Sequence, residues 1–441
     1  MRRTVLRSLP IAAGLFLLGG VALAQDNGPD KGDVAWMLAS SALVLFMTPG
    51  LALFYGGMVR SKNVLATIMQ SFIAMGVVGV LWVVVGYSLA FGGTNPWFGT
   101  FEWIGLENVP YDGPNPNYTL YGTIPQQLHA IYQGMFAIIT PALITGGFAE
   151  RKRFSSYLVF LALWSLLVYC PLAHWVWSEK GWIGAMGALD FAGGTVVHIS
   201  SGITALVACL YMGKRRGYPG EEMRPHNLTL TLLGTGILWF GWFGFNAGSA
   251  LGATGTAVNA FVVTNTAAAT AALAWMFAEW AHRGKPTALG AASGAVAGLV
   301  GITPAAGFVG PLASIAIGVG AGVLCYIAVA VKAKLGYDDS LDTFGVHAIG
   351  GLWGALATGI FASPALCTAF IGKEHPGGLI AGNAQQVVHQ IVGAGATVVF
   401  AAVVSGILLV AIDKTIGLRV KSNEEDAGLD ISLHGETGYS L

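Results

Sequence analysis

Eleven apolar stretches dominate this 441-residue sequence and constrain its fold more than any other feature. Only 10% of the residues are charged, against roughly 25% in a typical soluble domain, which excludes an ordinary water-soluble enzyme. A helix crosses a bilayer with about 20 apolar residues, and the stretches are about that long. The sequence therefore predicts an all-α polytopic membrane protein with eleven transmembrane helices. The stretches cover residues 33–57, 64–91, 126–148, 154–174, 190–212, 227–248, 259–282, 288–304, 310–334, 343–361 and 385–414.

The lysines and arginines that separate the stretches fall almost entirely on one side. Sixteen of them follow odd-numbered stretches, whereas two, Lys180 and Lys373, follow even-numbered stretches. Because cytoplasmic loops carry the positive excess, this bias predicts a mature N-terminus outside the cell and a C-terminus inside. The net charge is zero and no sustained basic run occurs, so nucleic-acid binding is not expected.

The first 24 residues contain the three parts of a secretory signal peptide. These are three arginines, an apolar core at residues 11–23 and the small-x-small triplet Ala22-Leu23-Ala24. The alternative is a first membrane helix, but the core is short for a bilayer and polar residues follow it. The predicted segments are a signal peptide at residues 1–24, a transmembrane domain at 25–414 and a cytoplasmic tail at 415–441.

Two of the stretches combine an acidic residue with a later histidine. Asp190 precedes His198 in the fifth stretch, and Asp342 precedes His347 in the tenth, at spacings of eight and five residues. When a unit with an odd number of helices occurs twice in series, its two copies cross the membrane in opposite directions. The pattern therefore predicts an inverted five-helix repeat plus one extra helix.

His198 and His347 are ionisable residues within predicted spans, where the cost of burial makes a function the default expectation. Two neutral imidazoles share one proton along an N–H···N contact and offer a donor and an acceptor to a small polar solute. The alternative is a pair of hydrogen bonds that only fixes helix packing. Neither the histidines nor the four cysteines show metal-ligand spacing, so no metal or cofactor is predicted.

Three aromatic residues and one carboxylate each have two candidate roles. Trp177 lies at an external helix end, where it either anchors the helix at the interface or holds a cation on its ring face. Phe136 and Phe245 are packing residues or, if they face a pore, form a constriction that a hydrated ion does not pass. Asp190 either caps the first turn of the fifth helix or favours a nearby cation through its charge.

Several long motifs in a fixed order are similar to those of a known family. The chain resembles the ammonium transporter family (Amt/MEP/Rh), specifically its bacterial Amt branch, over nearly all of residues 33–437. The motifs that carry the resemblance are Phe54-Tyr55-Gly56-Gly57 with Lys62-Asn63, Ala149-Glu150-Arg151-Lys152-Arg153-Phe154-Ser155, residues 190–198, Gly241-Trp242-Phe243-Gly244-Phe245-Asn246-Ala247-Gly248-Ser249, Phe344-Gly345-Val346-His347, and the tail stretch 428–436.

The resemblance implies that the chain transports ammonium or ammonia and is not an enzyme. It also implies an external ammonium-recruitment site, a stacked phenyl gate, a pair of pore histidines and a structural aspartate near the recruitment site. In this sequence those positions are Trp177 and Ser249 with Phe136 beside them, Phe136 with Phe245, His198 with His347, and Asp190. A further position of the recruitment region, a phenylalanine in some relatives, is Tyr132 here, which keeps an aromatic face and adds a hydroxyl.

The resemblance also implies an assembly and partners. It implies a homotrimer with one pore per subunit, surrounded by lipid in the inner membrane of a bacterium. The tail at residues 428–436 matches the region through which a cytoplasmic PII-type nitrogen-signalling protein docks. The acidic run at residues 424–426 before it is otherwise a solvated segment. Two rival functions are a neutral-gas channel of the Rh type and a membrane sensor whose output is a partner interaction.

Overall fold

The computed structural model describes residues 28–118 and 122–439, so the predicted signal peptide at residues 1–24 lies outside the described residues. Within the described ranges eleven long helices form the body of the chain, and no β-strand occurs there. The helices are α1 (Lys31–Met58), α2 (Ser61–Phe91), α3 (Gln126–Phe148), α4 (Phe154–Met186), α5 (Gly194–Met212), α6 (Leu228–Ala250), α7 (Gly255–Arg283), α8 (Ala288–Ile302), α9 (Pro311–Leu335), α10 (Phe344–Phe361) and α11 (Gln385–Ile416). Ten are long and apolar enough to cross a membrane, and α8 is apolar but shorter. The predicted fold of eleven membrane helices is confirmed.

Most helix boundaries coincide with the predicted stretches because local signals stop the helices there. The side chain of Thr287 accepts a hydrogen bond from Gly290 N and so caps the start of α8. Helices α7 and α9 end before Gly284 and Gly336, both with a φ of 77°, which glycine adopts without strain. Helix α4 differs most from the prediction, since it continues to Met186 with a short interruption at residues 178–181.

Glycines let α1 and α6 pack closely against each other. A Cβ atom added at Gly241 would lie 2.7 Å from Leu43 O, and one added at Gly244 would lie 2.8 Å from Ser40 O. Both distances are shorter than real Cβ contacts, so only glycine fits at these positions. Small residues have this use in membranes, where lipid provides no hydrophobic drive for helix association. Helices α1 and α6 are the first helices of the two five-helix units, so this contact joins the two halves.

The two helices that carry His198 and His347 begin with the same unusual local structure. Helix α5 opens with the π-helical segment Gly194–Ile199, and α10 opens with the π-helical segment Phe344–Ala348. Before α5, the carboxylate of Asp190 accepts a hydrogen bond from Thr195 N, five residues later, at 2.7 Å. His198 follows Asp190 by eight residues. Single π-helical turns inside α-helices are frequent at functional sites.

The counterpart of that capping aspartate before α10 is Asp339, so the sequence-based pairing with Asp342 is wrong. The Asp339 carboxylate accepts from Phe344 N at 2.7 Å, again five residues later, and His347 again follows by eight residues. Asp342 instead forms an ion pair with a lysine of α9. Burial raises the pKa of Asp339 to about 6. The corrected register makes both spacings equal and supports a duplicated unit.

Loops that follow odd-numbered helices meet at one end of the bundle, which we call the basic end. They form a buried ion network there. Glu150 lies 2.7 Å from Arg60 and 3.4 Å from Arg215, and Arg215 lies 2.7 Å from Asp338. Burial alone raises the pKa of the Glu150 carboxyl, but Arg215 and Arg60 together hold it below its ordinary value. Four separate loops are therefore tied together on the same face of the bundle.

The chain after α11 folds back onto the basic end. Arg153 N donates to Leu418 O at 2.8 Å, and Val420 N donates to Arg151 O at 3.1 Å. A short helix, Ser422–Ala427, follows this backbone pairing. The tail is thus connected to the loop between α3 and α4 by main-chain hydrogen bonds.

Two tail carboxylates extend this attachment. Glu425 is only 2% exposed and lies 2.8 Å from Arg419, so the acidic run is not simply solvated. Asp430 accepts hydrogen bonds from Leu65 N at 3.1 Å and Ala66 N at 2.8 Å. Backbone N–H groups near the start of a helix such as α2 lack a partner within the helix itself. The tail therefore caps a membrane helix with its own side chain.

Candidate functional site

A cavity of about 480 Å³ lies at the end of the bundle opposite the basic end, and we call it the vestibule. Its walls come from α3, α4, the loop before α5, the end of α6 and the segments that follow α8 and α10. They include four of the sequence-predicted site residues, namely Phe136, Trp177, Asp190 and Ser249. The fold therefore brings residues from four separate segments around one space.

Hydrogen bonding fixes the orientation of Trp177 in the vestibule wall. The indole Nε1 donates to the backbone oxygen of Asp190 at 3.0 Å. The ring meets Phe136 edge to face, with centroids 5.9 Å apart and an interplanar angle of 81°. Since the indole N–H is satisfied by protein, the π face is the part of the ring that remains for a cation.

The carboxylate of Asp190 is fully engaged by the backbone that starts α5. It accepts from Gly193 N at 2.8 Å, from Gly194 N at 2.7 Å and from Thr195 N, and it also accepts from the Thr195 hydroxyl. These are the donors that the first turn of a helix leaves unpaired. The geometry matches the capping role rather than direct contact with a cation.

Ser249 presents an oxygen lone pair to the vestibule. Its hydroxyl donates to Phe245 O at 2.9 Å, which occupies its only proton. The Tyr132 hydroxyl lies 2.9 Å from both Gly244 O and Phe245 O and 3.2 Å from Ser249 Oγ. Tyr132 therefore binds the same Phe245 carbonyl that accepts from Ser249, through the hydroxyl that a phenylalanine would lack.

Two stacked phenyl rings close the inner end of the vestibule. The centroids of Phe136 and Phe245 are 4.2 Å apart at an interplanar angle of 36°, and the residues are 0% and 1% exposed. Rings this close leave no continuous path between them. A solute that passes must displace at least one ring, so the pair has the geometry of a gate.

The two histidines lie directly beyond the gate. Their Nδ1 atoms are 3.3 Å apart and their rings are nearly parallel, at 18°. The His198 ring stacks on Trp242 at 5.5 Å and on Phe245 at 6.1 Å. One Nδ1 of the pair must donate while the other accepts, so the pair shares a proton. The Nε2 atom of His198 has no partner among the described residues.

The space around the histidine pair is narrow and apolar. The cavity there measures about 10 Å³, roughly the smallest volume that holds one water molecule. A hydrogen bond from the Trp242 indole to Thr303 Oγ1 at 2.9 Å keeps that ring in the wall. The remaining lining residues are aliphatic or aromatic, namely Met47, Leu51, Phe54, Ile139, Leu143, Val197, Leu238, Phe245 and Val296. The described residues contain no group of three or more ligating side chains that could hold a metal ion.

Comparison with known proteins decides the family. The Ammonium Transporter Family model matches residues 35–439. The chain belongs to the ammonium transporter family. It is therefore a transport protein and not an enzyme.

Relatives of this ammonium transporter family member cover nearly the whole chain. The ammonium transporter of Bacillus subtilis strain 168 is 50% identical over 409 residues, which are 92% of this chain and 98% of that protein. The crystal structure of Saccharomyces cerevisiae Mep2 superposes with a TM-score of 0.83 at 40% identity, over 89% of this chain and 88% of Mep2. A structure described as a sensor Amt protein superposes with a TM-score of 0.82 at 27% identity, over 91% of this chain and 98% of that one.

Sequence reasoning missed two polar residues in the vestibule of this transporter. His129 and Gln133 both line the cavity and precede Phe136 on α3 by seven and three residues. Positions i, i+4 and i+7 share one face of a helix. Helical periodicity traced back from Phe136 would therefore have found both residues.

Replacing both histidines with leucine (H198L with H347L) should lower ammonium transport about ten-fold or more, since the lumen beyond the gate then loses its histidine hydrogen-bonding groups. Ammonium-elicited current and ammonia flux in proteoliposomes measure the loss. The thermal unfolding midpoint of the purified variant serves as the folding control. Unchanged current and flux in a folded variant would show that the histidines only fix helix packing.

Proposed function

We propose that this chain carries ammonium across the plasma membrane of a bacterium by recruiting the cation outside, removing a proton and passing ammonia through the pore. The observation that carries the proposal is the linear order of three groups. The vestibule ends at Phe136 and Phe245, and the same Phe245 ring that contacts Phe136 at 4.2 Å stacks on His198 at 6.1 Å. Recruitment, gating and passage thus occupy consecutive positions along one path.

Recruitment uses the aromatic faces and the serine oxygen of the vestibule. A cation over a partly desolvated indole gains about 1–2 kcal/mol. The N–H groups of ammonium also donate to an oxygen such as Ser249 Oγ, whose own proton is already bound to Phe245 O. Both features suit a protonated amine better than a neutral gas, so they favour ion recruitment over a neutral-gas channel of the Rh type.

Deprotonation is the less costly route through the narrow lumen. Moving an intact cation into an apolar space of about 10 Å³ requires almost complete loss of its hydration, at a cost far above thermal energy. Ammonium titrates about two pH units above neutral, so releasing its proton to the external water at about pH 7 costs only about 3 kcal/mol. Ammonia can then accept from one histidine of the pair and donate to the other. The histidines provide polar contacts for ammonia within an otherwise apolar passage.

The orientation of the chain follows from its charges. The basic end carries the loops after the odd-numbered helices, and the positive-inside rule assigns those loops to the cytoplasm. The vestibule then faces outwards, the mature N-terminus lies outside, and the tail lies inside. A signal peptide at residues 1–24 fits this orientation, because it delivers the following segment across the membrane.

Trp177→Leu should raise the apparent KM for ammonium about 5- to 30-fold, which corresponds to the loss of one cation–π contact of about 1–2 kcal/mol. The measurement is transport by proteoliposomes over a series of ammonium chloride concentrations. Trp280→Leu is the matched control, since Trp280 lies on α7 with 51% of its surface exposed and does not line the vestibule. An unchanged concentration dependence in the Trp177 variant would place recruitment elsewhere.

We further propose that the chain forms a homotrimer whose tails receive a cytoplasmic PII-type protein. The tail is docked but not fully enclosed. Lys62 Nζ donates to the backbone oxygens of Glu425 at 3.1 Å and Asp426 at 2.7 Å, while the Asp426 side chain pairs with Arg216 and stays 55% exposed. A soluble trimer that engaged three such tails at once would gain avidity from weak single contacts.

Deleting residues 424–441 should leave the protein inserted and trimeric, because the groups that the tail covers lie at the basic end, where water can reach them. Capture of a PII-type protein in pull-downs should fall at least about ten-fold through the loss of that avidity. Deletion of residues 437–441 alone leaves Glu425 and Asp430 in place and is the matched control. Equal capture and identical transport in full-length and truncated protein would contradict the regulatory role while leaving the pore assignment intact.

A further inference from the structure

Gln133 has an unexplained polar atom in the vestibule wall. The residue is 9% exposed, and its Oε1 atom has no hydrogen-bond partner among the described residues. A buried carbonyl oxygen without a partner costs free energy that folding normally avoids, so such an atom in the wall of a cavity points to a ligand there. Gln133 lies one helical turn before Phe136 and lines the same cavity as Trp177.

The neighbouring groups show which ligand this atom suits. The vestibule already offers aromatic faces at Phe136 and Trp177 and one lone pair at Ser249 Oγ. None of these fully satisfies the four N–H groups of an ammonium ion. An amide oxygen carries two lone pairs, and a half-turn of the terminal amide brings its oxygen to whichever side the ligand approaches.

We propose that the side-chain oxygen of Gln133 is a second hydrogen-bond acceptor for protonated amines in the vestibule. The inference rests on the proposed recruitment of ammonium beside Trp177 and extends it by one ligand. Gln133 and Ser249 reach the cavity from α3 and α6, so the two acceptors bind N–H groups on different sides of the cation. The binding energy is gained before the gate, where the solute is still charged.

This position predicts a change in binding rather than in the rate of passage. Loss of an acceptor that contacts only the recruited cation raises the apparent KM and does not lower the maximal rate. Gln133→Leu should raise the apparent KM for ammonium about 10- to 100-fold, the factor that a hydrogen bond to a charged group contributes. Gln133→Glu keeps an acceptor, adds a negative charge and should lower the apparent KM below that of the wild type.

The experiment measures transport by the full chain in proteoliposomes over a series of ammonium chloride concentrations. Gln70→Leu is the matched control. Gln70 is also a buried membrane glutamine, 3% exposed, with an Oε1 atom that has no partner among the described residues, but it lies on α2 and does not line the vestibule. Trp177→Leu is included to report on recruitment itself.

A raised KM in Gln133→Leu, a lowered KM in Gln133→Glu and an unchanged KM in Gln70→Leu support the inference. An unchanged KM in folded Gln133→Leu, or an equal rise in Gln70→Leu, overturns it. If Gln133→Leu does not fold, Gln133→Glu decides, since a KM no lower than that of the wild type overturns the inference. When Trp177→Leu raises the KM but Gln133→Leu does not, only this inference fails, whereas no effect in either variant means that the proposed recruitment site fails.

Discussion

The cost of desolvating a cation is the constraint on which the rest of this structure depends. A bundle of eleven apolar helices offers little to replace the hydration of a bare ion, whereas a neutral solute loses far less on entering it. The polar groups are accordingly divided between two places along one path. The vestibule, where the cation still meets water, contains serine and glutamine oxygens and aromatic faces. Beyond Phe245, a histidine pair lies in a space of about 10 Å³.

The histidine pair depends in turn on how two helices begin. A capping aspartate followed by a π-helical turn places His198 on α5 and His347 on α10, and the two Nδ1 atoms meet at 3.3 Å. Asp190 has a second task, because its backbone oxygen holds the Trp177 indole while its carboxylate starts α5. One residue therefore couples the orientation of the Trp177 ring to the position of His198. The close contact between α1 and α6 joins the two halves that carry these helices.

The sequence predicted the helices well and the details of the polar groups less well, for a physical reason. Long uncharged runs ended by glycine or by a capping threonine leave few alternatives in a membrane, so nearly all the spans were predicted to within a few residues. The sequence pairs Asp342 with His347 because Asp342 directly precedes the tenth stretch, whereas the capping geometry depends on how the chain turns between α9 and α10. The burial of Glu425 was missed because it results from contacts with loops more than 200 residues away in the sequence. Gln133 was missed because one polar residue among apolar neighbours shows its role only when the cavity beside it is seen.

Potassium provides the most direct test of the central claim that the solute loses a proton before it crosses. Potassium has the same charge as ammonium and a similar size, but it has no proton to release. The full chain in proteoliposomes should therefore transport ammonium after a pulse of ammonium chloride. It should not transport potassium after an equal pulse of potassium chloride. Passage of potassium at a comparable rate would show that an intact cation crosses the pore, and it would contradict the account.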